Sequence, residues 1–119
     1  MNKKDKIMDV IKGNDVFDNP GGGTSIVVRI TDDYIWYKRK NSTMPLPIHA
    51  YFKVISDFKS KKCSSTDLKK YMPDVFSSKY NGHDCNCTFL FRIAEKAELL
   101  VNGIQGKGKC GSPFYVVFK

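Results

Sequence analysis

The sequence predicts an α+β fold, a small β-meander followed by three helices and a β-hairpin. Three observations predict it. Between Thr24 and Ile48, β-branched and aromatic residues alternate with other types. From Ile48 to Leu100, apolar residues recur at intervals of three and four. Between Val101 and Phe118, two apolar runs flank a turn rich in glycine and lysine. At 119 residues the chain has the length of one domain, and a hydrophobic content of 41% is enough to bury a core, which excludes a mostly disordered polymer.

In chain order, Lys3 to Lys12 reads as a short helix with Ile7, Val10 and Ile11 on one side. Asn19-Pro-Gly-Gly-Gly23 ends it, because proline lacks a donor and consecutive glycines resist regular structure. Residues 1–23 are therefore expected to form an arm joined by a glycine-rich linker to the rest of a single domain, with a meander at 24–48 and a helical and hairpin half at 48–119. Ser25–Ile30 and Tyr34–Arg39 are strands around the turn Thr31-Asp-Asp33. Thr43–Ile48 adds a third, confined to a sheet edge by Pro45 and Pro47.

Ile48, Phe52, Ile55 and Phe58, with Tyr51 and Val54 beside them, define the first long helix. A second starts at Ser64-Ser-Thr-Asp67, where a hydroxyl can cap free amides and Asp67 suits the positive helix end, and Pro73 limits it. A polar loop from Ser77 to Asp84 leads to a third helix, Thr88 to Leu100, whose apolar stripe is Phe89, Leu90, Ile93, Ala94, Ala97 and Leu100. Asn86, Thr88, Arg92, Glu95 and Lys96 are left for its polar side. Val101 to Phe118 then reads as a hairpin tipped by Gly106-Lys-Gly-Lys-Cys-Gly111.

In element order, residues 48–119 resemble the winged helix-turn-helix superfamily, on the strength of the Thr66-Asp-Leu68 helix, the Thr88 to Leu100 helix and the Gly106-Lys-Gly-Lys109 turn. The resemblance implies that the last helix meets the major groove of DNA through Asn86, Thr88 and Arg92, with Lys96 on the same helix, and that Lys107 and Lys109 of the wing hold phosphates. The long loop from Pro73 to Asp84 and the acids Glu95 and Glu98 depart from a compact DNA-reading unit.

Charge supports a polyanionic partner. The net charge is +8, and residues 1–18 hold four lysines against four aspartates, so the whole excess lies in the part with folding patterns. Lys38-Arg39-Lys40 beside Trp36 and Tyr37 is a second candidate contact, able to join phosphate attraction to base stacking. The expected function is that of a small, basic, non-enzymatic nucleic-acid-binding or regulatory protein, cytoplasmic and without a membrane partner, preferring duplex DNA to RNA and needing no cofactor.

Two other classes compete. One is a protein-interaction module or homodimeric adaptor that uses the basic face or the aromatics. The other is a cysteine enzyme or zinc protein built on His83-Asp-Cys-Asn-Cys87, where a thiol at a helix start lies near an imidazole. Single-residue spacing suits zinc poorly, and neighbouring residues on one loop rarely align as nucleophile and base. Gly106–Gly111 lacks the Gly-Lys-Ser/Thr ending of a nucleotide-binding loop.

Overall fold

A computed structural model of the chain describes residues 2–119. Among these, the fold is mixed α+β, with a four-stranded antiparallel sheet, a two-stranded sheet and five α-helices. In chain order the elements are α1 (Lys3–Met8), β1 (Val16–Asp18), β2 (Thr24–Ile30), β3 (Tyr34–Arg39), β4 (Ser42–Pro47), α2 (Ile48–Asp57), β5 (Lys62–Ser64), α3 (Ser65–Tyr71), α4 (Pro73–Phe76), α5 (Cys85–Lys96) and β6 (Tyr115–Val117), with one turn of 3₁₀-helix at Ser78–Tyr80.

The meander forms as its alternation requires and gains a strand. β1, β2, β3 and β4 lie side by side in sequence order. Val27, Ile35, Tyr37, Met44 and Leu46 point inward and are buried. Val28 is a bulge, since Val27 pairs with Tyr37 while Arg29 already pairs with Trp36. β4 sits at the edge, where the missing amides of Pro45 and Pro47 do no harm.

The expectation of an N-terminal arm is corrected. Ile7 and Ile11 are 1% and 0% exposed in the same core as Phe118, and β1 completes the sheet by pairing with β2. The glycines at 21–23 are the turn of a hairpin and no linker. A three-residue strand next to a Pro-Gly-Gly-Gly segment carries too little periodic signal to be read in advance.

The segment is also held by charge. The Asp15 carboxylate accepts from the Lys12 amide at 3.0 Å and from Lys96 Nζ at 2.9 Å. The Lys96 hydrogen bond, helped by that amide, holds this carboxyl below its ordinary value. A depressed native pKa gives stability that is complete above the unfolded value of about 3.9 and disappears as pH falls through the native value. Stability measured by urea unfolding is therefore expected to drop on acidification below about pH 4, and Asp15→Asn to show a shallower drop. An identical acid profile for the variant would refute this role.

α2 presents Ile48, Tyr51 and Val54 to the core, whereas Phe52 and Ile55, expected on that stripe, are only half-buried at its margin. α3 begins with a reciprocal cap: the Ser64 hydroxyl accepts from the Asp67 amide at 3.0 Å and the Asp67 carboxylate accepts from the Ser64 amide at 2.9 Å. Pro73 closes α3 and opens α4 from its first position, where a missing donor costs nothing.

α5 starts three residues before the expected Thr88 and ends at Lys96. It is the central helix. Besides Phe89, Leu90, Ile93 and Ala94, it buries Phe91, Cys87 and Asn86, so its core face wraps most of its circumference.

The last segment doubles back as expected, but only its second arm is a regular strand. β6 pairs with β5, and the outgoing arm meets the return through single bridges at Leu100–Phe118, Gln105–Tyr115 and Lys109–Ser112. No helix among the described residues is long and apolar enough to cross a membrane.

Candidate nucleic-acid interface

The residues expected at a DNA groove do not share a free surface. Asn86 is 1% exposed. Its Oδ1 accepts from the Tyr37 hydroxyl at 2.6 Å, and its Nδ2 donates to the carbonyls of Pro45 at 3.1 Å and Val75 at 3.0 Å. It is a bolt between sheet, α4 and α5. Tyr37 sits against α5 with its ring stacked on Phe89, centroids 3.8 Å apart, and burial raises its phenol well above the ordinary value.

Arg92 is turned onto the N-terminal strand. Its Nε donates to the Asp18 carbonyl at 2.7 Å and its Nη1 pairs with Glu95 at 2.8 Å. Lys96 pairs with Asp15 and lies 5.7 Å from the centroid of the Phe17 ring. The assignment of Asn86 to a groove-reading face is therefore overturned, because it is core, whereas Arg92 and Lys96 are bonded to β1 and its approach at partly exposed positions. Their polar identity was visible in the sequence; the partners that hold them, Tyr37, Pro45 and Val75 for Asn86 and the N-terminal segment for the other two, were not.

Thr88 differs. It is half-buried, its hydroxyl 3.5 Å from the Cys85 carbonyl, and it borders a cleft of about 340 Å³. Three elements build that cleft: α3 (Thr66 in its first turn and Lys69 in its last), the start of α5 (Asp84, Thr88) and the hairpin tip (Gly108, Lys109). Lys69 lies 3.7 Å from Asp84. Desolvation alone would raise the Asp84 carboxyl, but the Ser78 amide and Lys69 outweigh it and hold it below its ordinary value. Thr66 and Lys69 were missed in the sequence, where they read as an ordinary helix surface; only the return of the hairpin brings them beside Lys109.

The hairpin tip is shaped by its glycines. Gly106 has φ +89°, and a Cβ there would lie 2.1 Å from the Pro113 carbonyl oxygen, so no other residue fits. The Ser112 carbonyl accepts from the amides of Lys107, Gly108 and Lys109 at 3.1, 2.9 and 3.2 Å. This curl leaves Lys107 and Lys109 exposed, and neither forms an ion pair among the described residues.

Lys38-Arg39-Lys40 is divided by the strand it ends. Lys38 is exposed on the outer sheet face, whereas Arg39 faces the other way into a cleft of about 580 Å³ shared with Lys40 and Cys85. Tyr37, expected beside the basic cluster, is buried, and the aromatic on the outer face with Trp36 is Tyr34. Two-residue periodicity carries this distinction: Tyr34, Trp36 and Lys38 have one parity and Tyr37 the other.

The cysteines do not assemble. Cys87 is buried with its sulfur near the carbonyls of Ser65 and Phe76, and burial pushes its thiol up to about 12. Cys63 is likewise buried, its thiol raised to about 12. A thiol so raised stays protonated at neutral pH and is a poor nucleophile. Among the described residues no three His, Cys, Asp or Glu side chains come together as a metal-holding group.

No protein-family model matches the chain, no curated protein matches its sequence, and no solved structure matches its fold.

Proposed function

We propose that the chain is a non-enzymatic nucleic-acid-binding protein that grips the phosphate backbone of duplex DNA through its hairpin tip and the cleft beside it. Lys107 and Lys109 supply the charge, and the hydroxyls of Thr66 and Thr88 are neutral phosphate donors beside the Lys69–Asp84 pair. The observation that carries this reading is the pair of exposed, unpaired lysines on a glycine-shaped tip. The winged-helix reading draws support from the order α2, β5, α3, α5, hairpin, interrupted by the short α4 between α3 and α5, and from the pairing of β5 with β6. Because α5 is enclosed, this reading gives the protein backbone contacts and no groove-reading helix, so binding is expected to be indifferent to base sequence.

Each phosphate contact releases counterion, and the logarithm of the affinity falls with the logarithm of salt by about 0.9 per contact. Replacing Lys107 and Lys109 together with alanine is expected to weaken binding to a 20-base-pair duplex and to reduce the salt slope by about 2. A titration of fluorescence anisotropy at several salt concentrations reads both. Salt-independent binding, or none at micromolar protein, refutes the proposal.

A further inference from the structure

Among the described residues, the outer face of the four-stranded sheet leaves four large apolar side chains exposed and has an unusual composition. Its rows follow from the register. Val16, Ile26, Lys38 and Thr43 stand opposite one another across the four strands, Arg29 pairs with Trp36 and Trp36 with Pro45, and Tyr34 pairs with Pro47. Val16 is 58% exposed, Val28 50%, Tyr34 40% and Ile26 38%. Neither Arg29 nor Lys38 forms an ion pair among the described residues, although Asp and Glu side chains elsewhere hold five other cations. Unpaired cations beside one exposed ring, Tyr34, and one half-buried ring, Trp36, form a surface suited to a partner with both negative charge and flat apolar groups.

We infer that this face binds single-stranded nucleic acid, with bases stacking on Trp36 and Tyr34 and phosphates meeting Arg29 and Lys38. The two aromatics follow one another on the same face of β3, where alternate residues stand about 6.7 Å apart, a step comparable to one extended nucleotide. Their rings are tilted by 54° at 5.7 Å between centroids, so neither covers the other's flat face as a parallel stack would. Exposed apolar side chains at Val16, Ile26 and Val28 extend the floor on which sugars and bases rest. A base offers a π-face whatever its identity, so such a platform is tolerant of sequence.

Two rival occupants fit the face less well. A second copy of this chain docking face to face about a two-fold axis would bring the Arg29 and Lys38 of one copy towards those of the other, with no acid in the central rows to neutralise them. A protein strand extending the sheet beyond β4 would meet Pro45 and Pro47, which have no amide to donate.

Trp36 is the only tryptophan, so its emission reports on this face alone. The experiment titrates the protein with twelve-residue oligothymidylate and, in a second arm, oligouridylate, following tryptophan emission together with the anisotropy of a labelled oligonucleotide. The expected result is quenching that saturates with binding, and affinity reduced about tenfold or more by Trp36→Leu, which keeps the apolar bulk and removes the stacking ring. Tyr34→Leu, at a more exposed position, is expected to lower affinity in the same direction while retaining the emission signal. Arg29→Ala with Lys38→Ala is expected to flatten the salt dependence. Binding without any change in emission, full affinity in both leucine variants, or no binding at micromolar protein, with or without a dimer that Trp36→Leu dissolves, would each overturn the inference. It fails separately from the hairpin proposal, which is judged on duplex binding and the Lys107 and Lys109 variants.

Discussion

Replacing Asn86 with alanine is expected to lower folding stability by about 3 to 4 kcal/mol, since each buried polar group left without its partner costs about 1–3 kcal/mol. The side chain is 1% exposed and satisfies three groups at once: the Tyr37 hydroxyl on β3, the Pro45 carbonyl on β4 and the Val75 carbonyl on α4. Alanine orphans the Tyr37 hydroxyl and the Pro45 carbonyl, while the Val75 carbonyl keeps the His83 amide at 3.0 Å, and the penalty is moderated by whatever water enters the small void. Because these partners lie on separate elements, the loss falls on the joint between sheet and helices. Urea unfolding is expected to show a lower midpoint with an unchanged slope, the mark of lost stability without a change in the surface exposed. Asn86→Asp should be at least as damaging, since it replaces the donor to Pro45 and Val75 with an acceptor and places a charge in the interior. A loss below about 1 kcal/mol for the alanine variant would show that the three bonds are not made in solution.

Asn86 also shows where reading a sequence stops. On a helix, an asparagine three residues before an apolar stripe has the signature of a polar face, and its type suits a base edge as well as a buried carbonyl. What decides between them is the position of Tyr37, 49 residues away, and of Pro45, 41 residues away. Local patterns carried more where the determining contact is itself local. The Ser64 and Asp67 cap spans three residues, the two prolines of β4 restrict that strand by their own chemistry, and Tyr34 to Arg39 alternates within six residues. The basic hairpin tip was legible for the same reason. Its neighbours were not, because Lys69 and Thr88 reach it only through the return of the chain. α5 was misjudged on one side: Phe91 lies off the expected stripe and is fully buried, which signals a helix enclosed by other elements.

Removing residues 1–18 is expected to unfold the protein. An appendage could be cut away with little consequence, but this segment supplies Ile7 and Ile11 to the core and Phe17 to the edge of the Phe89 ring, 6.0 Å between centroids. Emptying one buried isoleucine position costs about 2–5 kcal/mol, and two such losses approach or exceed the 5–15 kcal/mol by which domains of this kind are held together. The truncation removes β1 as well, leaving β2 as a raw edge whose Val27 amide and carbonyl lose Asp15 and Asn14, both at 2.8 Å. Arg92 loses its bond to the Asp18 carbonyl and Lys96 its pair with Asp15, a smaller effect because both contacts are exposed. Circular dichroism of the truncated chain is therefore expected to show no cooperative thermal transition, and the single replacement Ile11→Ala a folded protein weakened by about 2–5 kcal/mol. A truncated chain that melts like the full one would return residues 1–18 to the status of an arm, and the bonds from Arg92 and Lys96 to Asp18 and Asp15 would then be surface contacts without weight in the fold.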